Sequence, residues 1–203
     1  MQAGDRATGK QGVAGSLGRF VPVVVAILIA CSLYLPWWSI TVRAPQYPQG
    51  LTVSVHLTDV RGDVDEIDLL NHYIGMMSLR DAAPVERRLA PYLVYGLAAL
   101  TAAAAFLRGR AAVAALLPAI LFPLGVVVDL YRWLYIAGHT LDPAAPLSSS
   151  IKPFTPVILG TGQIAQFSTV ATFRVGFYVA LVAAILAAWW SWRQAGRRGH
   201  GRM

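Results

Sequence analysis

Four long apolar stretches dominate the chain and alternate with shorter polar segments. They cover residues 20–40, 89–107, 111–137 and 173–192. A bilayer core about 30 Å thick is crossed by about 20 apolar residues in a helix, so each stretch is long enough to span it. The pattern therefore predicts an all-α membrane protein with four transmembrane helices.

The remaining segments form the predicted tails, turn and loops. Residues 1–19 precede the first helix, residues 108–110 form a tight turn, and residues 193–203 follow the last helix. Two longer loops, 41–88 and 138–172, follow the first and third helices. Since both loops come after an odd-numbered helix, we expect them on the same side of the membrane.

The first loop begins with a pattern typical of β-strands. Residues 51–58 alternate strictly between apolar and polar, and Ile40, Val42 and Ala44 repeat the same period of two. Proline- and glycine-containing residues 45–50 separate the two runs. The sequence therefore predicts a small β-hairpin that continues from the first helix.

A short helix is predicted after the hairpin. Asp63 and Glu66 have the spacing of a capping box, and Gly75 is a suitable end signal. In the second loop, residues 151–160 are too apolar for a free linker. We expect that segment to pack on the first loop or to enter the membrane interface.

The distribution of charge predicts the orientation. Charged residues make up only 13% of the 203 residues, about half the share of a soluble domain, and the net charge is +7. The segments 1–19, 108–110 and 193–203 are basic and contain one acid, Asp5, whereas residues 41–88 contain seven acids. Basic segments stay in the cytoplasm, so both termini are predicted inside and both loops outside.

The same distribution bears on partners. The arginines are divided among three short segments and form no single patch, which argues against a nucleic-acid partner. We expect the lipid bilayer to be the main partner, together with another membrane protein or further copies of this chain.

Cys31 is the only cysteine, which excludes an intramolecular disulfide. Residues 28–31 fit a lipoprotein cleavage box, but the apolar run continues through residues 32–38. That continuation favours an uncleaved helix with a buried cysteine. The mass of the mature protein distinguishes the two alternatives.

Three charged residues fall within the predicted membrane helices. Asp129 and Arg132 lie near the outer end of the third helix, and Arg174 begins the fourth. Ionisable groups are costly in a membrane and therefore need a reason. One hypothesis is an ion or proton site, and the other is a salt bridge from Asp129 to Arg132 or Arg174 that fixes the two helices.

A second set of residues has ligand chemistry suited to copper. Thioether and imidazole groups are assigned to the outer loops and helix ends, and Asp68 is placed to orient an imidazole. The set is His56, His72, Met76, Met77 and His139. No two of the histidines have a chelating spacing, and adjacent methionines also serve as core filler.

No enzymatic motif is found. The sequence contains no P-loop, no GxSxG nucleophile elbow and no HExxH zinc motif. We therefore predict a protein that is not an enzyme.

Three segments of the predicted loops are similar in sequence to a family of membrane proteins. At residues 44–51 (APQYPQGL), 70–76 (LNHYIGM) and 152–156 (KPFTP), the chain resembles a family of small bacterial four-helix membrane proteins. Members of this family look like neighbours of copper-enzyme maturation systems, in particular that of nitrous oxide reductase. The resemblance implies the bacterial cytoplasmic membrane and an accessory role in copper delivery or respiratory enzyme assembly, and it brings no established ligand residues.

The leading hypothesis is a non-enzymatic membrane accessory or assembly protein that handles copper or helps respiratory complexes mature. One alternative is a structural subunit of a larger membrane complex. The other is an oligomeric transporter or channel built around Asp129, Arg132 and Arg174.

Overall fold

The computed structural model describes residues 20–147, 151–164 and 167–196. In this part of the chain the helices are α1 (Phe20–Ser32), α2 (Val64–Ile74), α3 (Pro84–Ala103), α4 (Arg110–His139) and α5 (Val175–Gly196). The strands are β1 (Trp38–Ala44), β2 (Tyr47–Val55), β3 (Val60–Gly62), β4 (Gly160–Ile164) and β5 (Phe167–Phe173).

The chain divides into two compact units. The helical unit comprises the described parts of Met1–Cys31, Leu93–Pro123 and Val179–Met203. The sheet unit comprises Ser32–Tyr92 and the described parts of Leu124–Tyr178. Each unit therefore combines segments that are distant in sequence.

The sheet unit is built on a five-stranded antiparallel sheet in the order β3-β2-β1-β5-β4. The central strand β1 pairs with β2 on one side and with β5 on the other, so that Ile40 lies between Val53 and Ala171. Because side chains alternate between the two faces of a strand, these three residues share one apolar face.

The opposite face of the sheet carries mostly hydroxyl groups. Thr41 lies opposite Thr52, and their side-chain oxygens are 2.8 Å apart. Ser39 lies opposite Thr172, with their oxygens 3.1 Å apart. An antiparallel sheet with one apolar and one polar face is typical of a sheet that covers a core on one side only.

Helix α2 covers the apolar face. The core at this contact is formed by Leu51 and Val53 of the sheet and Val64 and Ile67 of the helix. Gly75, in a left-handed conformation, ends the helix as predicted, and its N–H donates to the His72 carbonyl. The expected capping box is wrong, because the Asp63 carboxylate accepts a hydrogen bond from Thr52 N at 2.7 Å and none from the helix.

The helical unit buries many small side chains, together with a few large ones such as Ile29 and Leu116, and exposes other large side chains. Its buried positions include Ala98 and Thr101 of α3, Ala112, Ala115 and Ala119 of α4, and Ala180, Ala183 and Ala187 of α5. Bulky residues such as Leu121 and Ile185 are exposed on the same helices. Small buried residues let helix backbones approach closely, as is typical of helices that pack within a membrane.

The predicted all-α class with four membrane spans is wrong. The fold combines helices with a five-stranded sheet, and among the described residues only α4 and Val175–Gln194 of α5 are long and apolar enough to cross a membrane. The first predicted span is divided between the 13-residue α1 and strand β1. A helix is disfavoured there because Pro36 lacks a backbone N–H and restricts Leu35.

The second predicted span begins five residues too late. Helix α3 starts at Pro84 and therefore includes the charged residues Glu86, Arg87 and Arg88. Those charges, which the sequence analysis assigned to the loop, make α3 too polar to join the candidate spans. Cys31 also differs from expectation, since it is exposed at the end of α1.

The second loop contains regular structure that the sequence analysis did not predict. Strands β4 and β5 lie within residues 138–172, and β5 pairs with β1. The indole N–H of Trp38 donates to the carbonyl of Ile158 at 2.6 Å. This bond attaches the apolar segment before β4, residues 151–159, to strand β1 of the sheet. The second loop therefore packs on the first.

Replacement of Ile67 tests the contact between α2 and the sheet. Ile67 is 5% exposed and Leu69, on the same helix, is 61% exposed. We expect Ile67→Ala to destabilise the protein by about 2–5 kcal/mol because it leaves a cavity in the core. Leu69→Ala is the matched control and should change stability by less than about 0.5 kcal/mol. Equal losses in chemical denaturation of the detergent-solubilised protein would contradict this packing.

Two glycines of α4 test how the second loop is attached. A methyl group on Gly138 would overlap the carbonyl oxygen of Phe154, whereas Gly125 has no atom within 4 Å of that position. The Gly138 carbonyl also accepts a hydrogen bond from Phe154 N at 3.1 Å. Gly138→Ala should therefore lower the melting temperature by several degrees, and Gly125→Ala should leave it unchanged. Similar melting of both variants would show that residue 154 does not approach α4.

Candidate functional site

The most connected group of charges in the sheet unit is centred on Arg132 of α4. Its guanidinium donates to Glu86 Oε1 at 3.1 Å and to Asp129 Oδ1 at 3.2 Å. The indole N–H of Trp133 donates to the same Glu86 oxygen at 3.3 Å. Glu86 lies in the first turn of α3, so the group connects α3 with α4.

The structure brings together two of the three charges predicted in this region. Asp129 and Arg132 are paired across one turn of α4. Among the described residues, the ion pairs do not include Arg174, whose backbone N–H donates to the Trp37 carbonyl at 2.9 Å. Asp129 therefore pairs with Arg132, but this pair lies within α4 and does not fix α4 to α5, and the partner from another helix is Glu86 of α3.

Sequence reasoning missed Glu86 and Trp133 as members of this group. The available signal for Glu86 was its position two residues after Pro84, since proline and acids favour the first turn of a helix. Helix periodicity cannot show that this turn lies beside Arg132, because the contact joins residues 46 positions apart.

The carboxyl group of Glu86 titrates below its usual range. A hydrogen bond from its own backbone N–H holds the pKa of Glu86 down, burial opposes this, and contacts with Arg132 and Trp133 lower the pKa further. Glu86 is therefore charged at neutral pH and balances Arg132 together with Asp129.

The five residues proposed as copper ligands come from three parts of the sheet unit: the turn after β2, α2 with the residues that follow it, and the end of α4. His72 is exposed and lies edge-on to Tyr73, and His139 is exposed and stacks on Tyr135 with ring centroids 3.9 Å apart. Met76 donates its N–H to Asn71 O in the cap of α2, and Met77 lies in the residues that follow. Across the described ranges these five side chains share no hydrogen bond or ring contact, and no three His, Cys, Asp or Glu form a metal cluster.

Asp68 has a different role from the one expected. Its carboxylate accepts hydrogen bonds from the Ser78 hydroxyl at 2.6 Å and from Leu79 N at 2.7 Å. Arg87 of α3 contacts the same segment between α2 and α3, by donating to the carbonyls of Leu79 and Arg80. These charges order the segment between α2 and α3, and Asp68 does not orient His72.

His56 is the buried member of the predicted set. It is 8% exposed and begins the turn between β2 and β3. Burial lowers the pKa of His56, and the nearby positive charge of Arg61 lowers it further. The imidazole is therefore neutral at pH 7.

Comparison with known proteins adds no assignment. No profile of a known protein family matches this chain, and no curated protein sequence matches it. The functional argument therefore depends on the residues and their geometry.

The pH dependence of stability tests the Glu86 contact. A carboxyl group with a lowered pKa stabilises the fold above the pKa of the unfolded chain, and that contribution is lost as the pH falls through the folded pKa. Glu86→Gln should lower the melting temperature at pH 7, and the difference from wild type should shrink below the ordinary carboxyl pKa of 4.5. The effect should not exceed about 1 kcal/mol, because the group is partly exposed to solvent.

Glu66→Gln is the matched control for this measurement. Glu66 lies exposed on α2, outside the Arg132 group, so its replacement should leave the pH profile close to that of wild type. A pH-independent difference between wild type and Glu86→Gln would contradict the proposed charge contact.

Proposed function

We propose that this chain is a non-enzymatic membrane accessory protein, in which α4 and α5 cross a lipid bilayer, α3 returns the chain from the sheet unit to the cytoplasmic start of α4, and the sheet unit serves as its binding module outside the cytoplasm. The observation that carries the proposal is the pair of long apolar helices with outward-facing bulky side chains. Both helices expose leucine, valine or isoleucine where a soluble protein would place polar groups.

The length of α4 supports this proposal. Its exposed side chains change from apolar (Leu117, Leu121, Leu124 and Val128) to aromatic at Tyr131 and Tyr135. From Arg110 to Tyr131 the helix rises about 31 Å, at about 1.5 Å per residue, which matches the apolar thickness of a bilayer. Tyrosine is favoured at the membrane interface because its ring is apolar and its hydroxyl is polar.

Helix α5 also exposes aliphatic residues in its middle and aromatic residues near its ends, and its arginine lies at its carboxyl end, whereas that of α4 lies at its amino end. Tyr178 is exposed near its beginning and Trp189 and Trp192 near its end, with Val182 and Ile185 exposed between them. Arg193 follows Trp192 directly, and the guanidinium lies 4.2 Å from the Trp189 ring centre. Arginines thus accompany the start of α4 and the end of α5, and the positive-inside rule assigns both of these ends to the cytoplasm.

An accessory role is favoured over ion transport by the way the sheet unit uses its charges. Arg132 is shared between Glu86 and Asp129, and Arg87 and Asp68 hold a connecting segment. These groups are occupied by contacts that stabilise the fold. The exposed face of α2 presents Leu69 and Tyr73, and neighbouring exposed apolar groups of this kind are typical of interaction surfaces. We do not include copper in the proposal, because no hydrogen bond or ring contact in the described residues joins its predicted ligands.

Cysteine accessibility tests the proposal in intact cells. In a Cys31→Ser background, single cysteines replace Leu121, Ile185, Ser54 or Gly109. An impermeant maleimide should label position 54 in intact cells, label position 109 only after permeabilisation, and label positions 121 and 185 poorly in both conditions. Rapid labelling of positions 121 and 185, or extraction of the chain by alkaline carbonate, would overturn the membrane part.

Site-specific crosslinking tests the accessory part. A photoreactive residue at Leu69 should give one discrete adduct with a membrane protein or with a second copy, and the same residue at Ser54 on the hydroxyl face should not. Equal yields at the two positions would contradict a binding surface on α2.

A further inference from the structure

The exposed residues of α2 form one strip that is symmetric about its middle. Helix α2 exposes Asp65, Glu66, Leu69, His72 and Tyr73, and its other residues are buried or half-buried. Counted from Leu69, these positions lie four and three residues before it and three and four residues after it. Residues at such spacings share one face of an α-helix. The sheet unit therefore presents a single strip with Leu69 at its centre.

The strip carries large apolar groups in contact with solvent. Leu69 is 61% exposed and Tyr73 is 53% exposed. Leu147 is 45% exposed, and its backbone lies next to Tyr73, because its N–H donates to the Tyr73 carbonyl at 3.0 Å. Neighbouring exposed apolar side chains of this size are typical of an interaction surface.

The two ends of the strip are chemically complementary. The first turn of α2 is acidic, with Asp65 and Glu66, and the last turn carries His72. A carboxylate accepts hydrogen bonds, and an imidazole donates at least one in either of its protonation states. Helix dipoles also favour antiparallel neighbours, since the amino end is partly positive and the carboxyl end partly negative. The strip is therefore complementary to a copy of itself that runs in the opposite direction.

We propose that α2 binds α2 of a second copy of this chain, antiparallel and around a two-fold axis at Leu69. The symmetry of the strip then determines the neighbours, so that Glu66 faces the partner's His72 and Asp65 faces the partner's Tyr73. Asp65 is paired with Arg80 in its own chain, and this guanidinium can contact the partner's Tyr73 ring. A two-fold contact uses the same surface on both copies and therefore closes as a dimer.

The size of the contact makes the dimer dependent on the membrane. The 11-residue α2 is only about 16 Å long at about 1.5 Å per residue, so one of its faces is smaller than the roughly 800 Å² per partner of a stable soluble interface. Two copies in one bilayer are confined and reach a high effective concentration. The inference thus rests on the proposed membrane location and identifies the partner of the α2 surface.

Disulfide crosslinking in native membranes tests the contact. In a Cys31→Ser background, Leu69→Cys should form a covalent dimer on oxidation with copper phenanthroline, because helices about 8–10 Å apart bring facing residues within disulfide range. Neither Asp65→Cys nor Tyr73→Cys should dimerise alone, whereas co-expression of the two should give a dimer. Ser54→Cys, on the hydroxyl face, is the matched control for random collision.

Exchange of the two polar groups is the second test, with the yield of the Leu69→Cys dimer as its readout. Glu66→Lys or His72→Glu alone removes the complementarity between facing groups and should lower the yield severalfold. Both substitutions together restore a pair of opposite charges and should recover the yield. A general loss of folding would not allow this recovery.

Three results would overturn the inference: a Leu69→Cys yield no higher than that of Ser54→Cys, a dimer of Tyr73→Cys alone, or no recovery in the double variant. Alkaline carbonate treatment of the same membranes separates this failure from that of the proposed function. If the chain resists extraction, the membrane proposal stands and only the assignment of the partner fails.

Discussion

The pairing of β1 with β5 is the constraint on which the rest of the sheet unit depends. Strand β1 follows α1, and β5 precedes α5, so their pairing joins segments about 130 residues apart. The register places Trp38 opposite Phe173. At the next pair of residues, the Arg174 N–H donates to the Trp37 carbonyl. Gly176 continues this contact, since its N–H donates to Pro36 O at 2.7 Å and a Cβ there would approach the Trp37 ring. The start of α5 is thereby fixed to the connection between α1 and β1.

The same pairing gives the sheet its two faces. Once Ile40 lies between Val53 and Ala171, period-two alternation directs Thr41, Thr52 and Val170 to the other side. A shift of one residue would exchange the faces and place hydroxyl groups against α2. The hydroxyl pairs across β1 are therefore a consequence of the register that the apolar core selects.

The sequence could predict the elements whose signals are local. Alternation found the β1–β2 hairpin, Gly75 marked the end of α2, and the long apolar runs found α4 and α5. It could not separate α1 from β1, because residues 20–40 are apolar throughout and both elements are buried in part. The sequence also gave little indication of β5. Its serine and threonine residues are equally common in loops, and the strand is recognised only from its pairing with β1. The error in fold class thus came from long-range pairing, which periodicity does not record.

The candidate sites show the same limit. Asp129 and Arg132 could be paired from their spacing of three residues, but Glu86 enters only because the first turn of α3 lies beside α4. Shared ligand chemistry grouped five residues for copper, but across the described ranges their contacts are with other residues: His72 with Tyr73, and His139 with Tyr135.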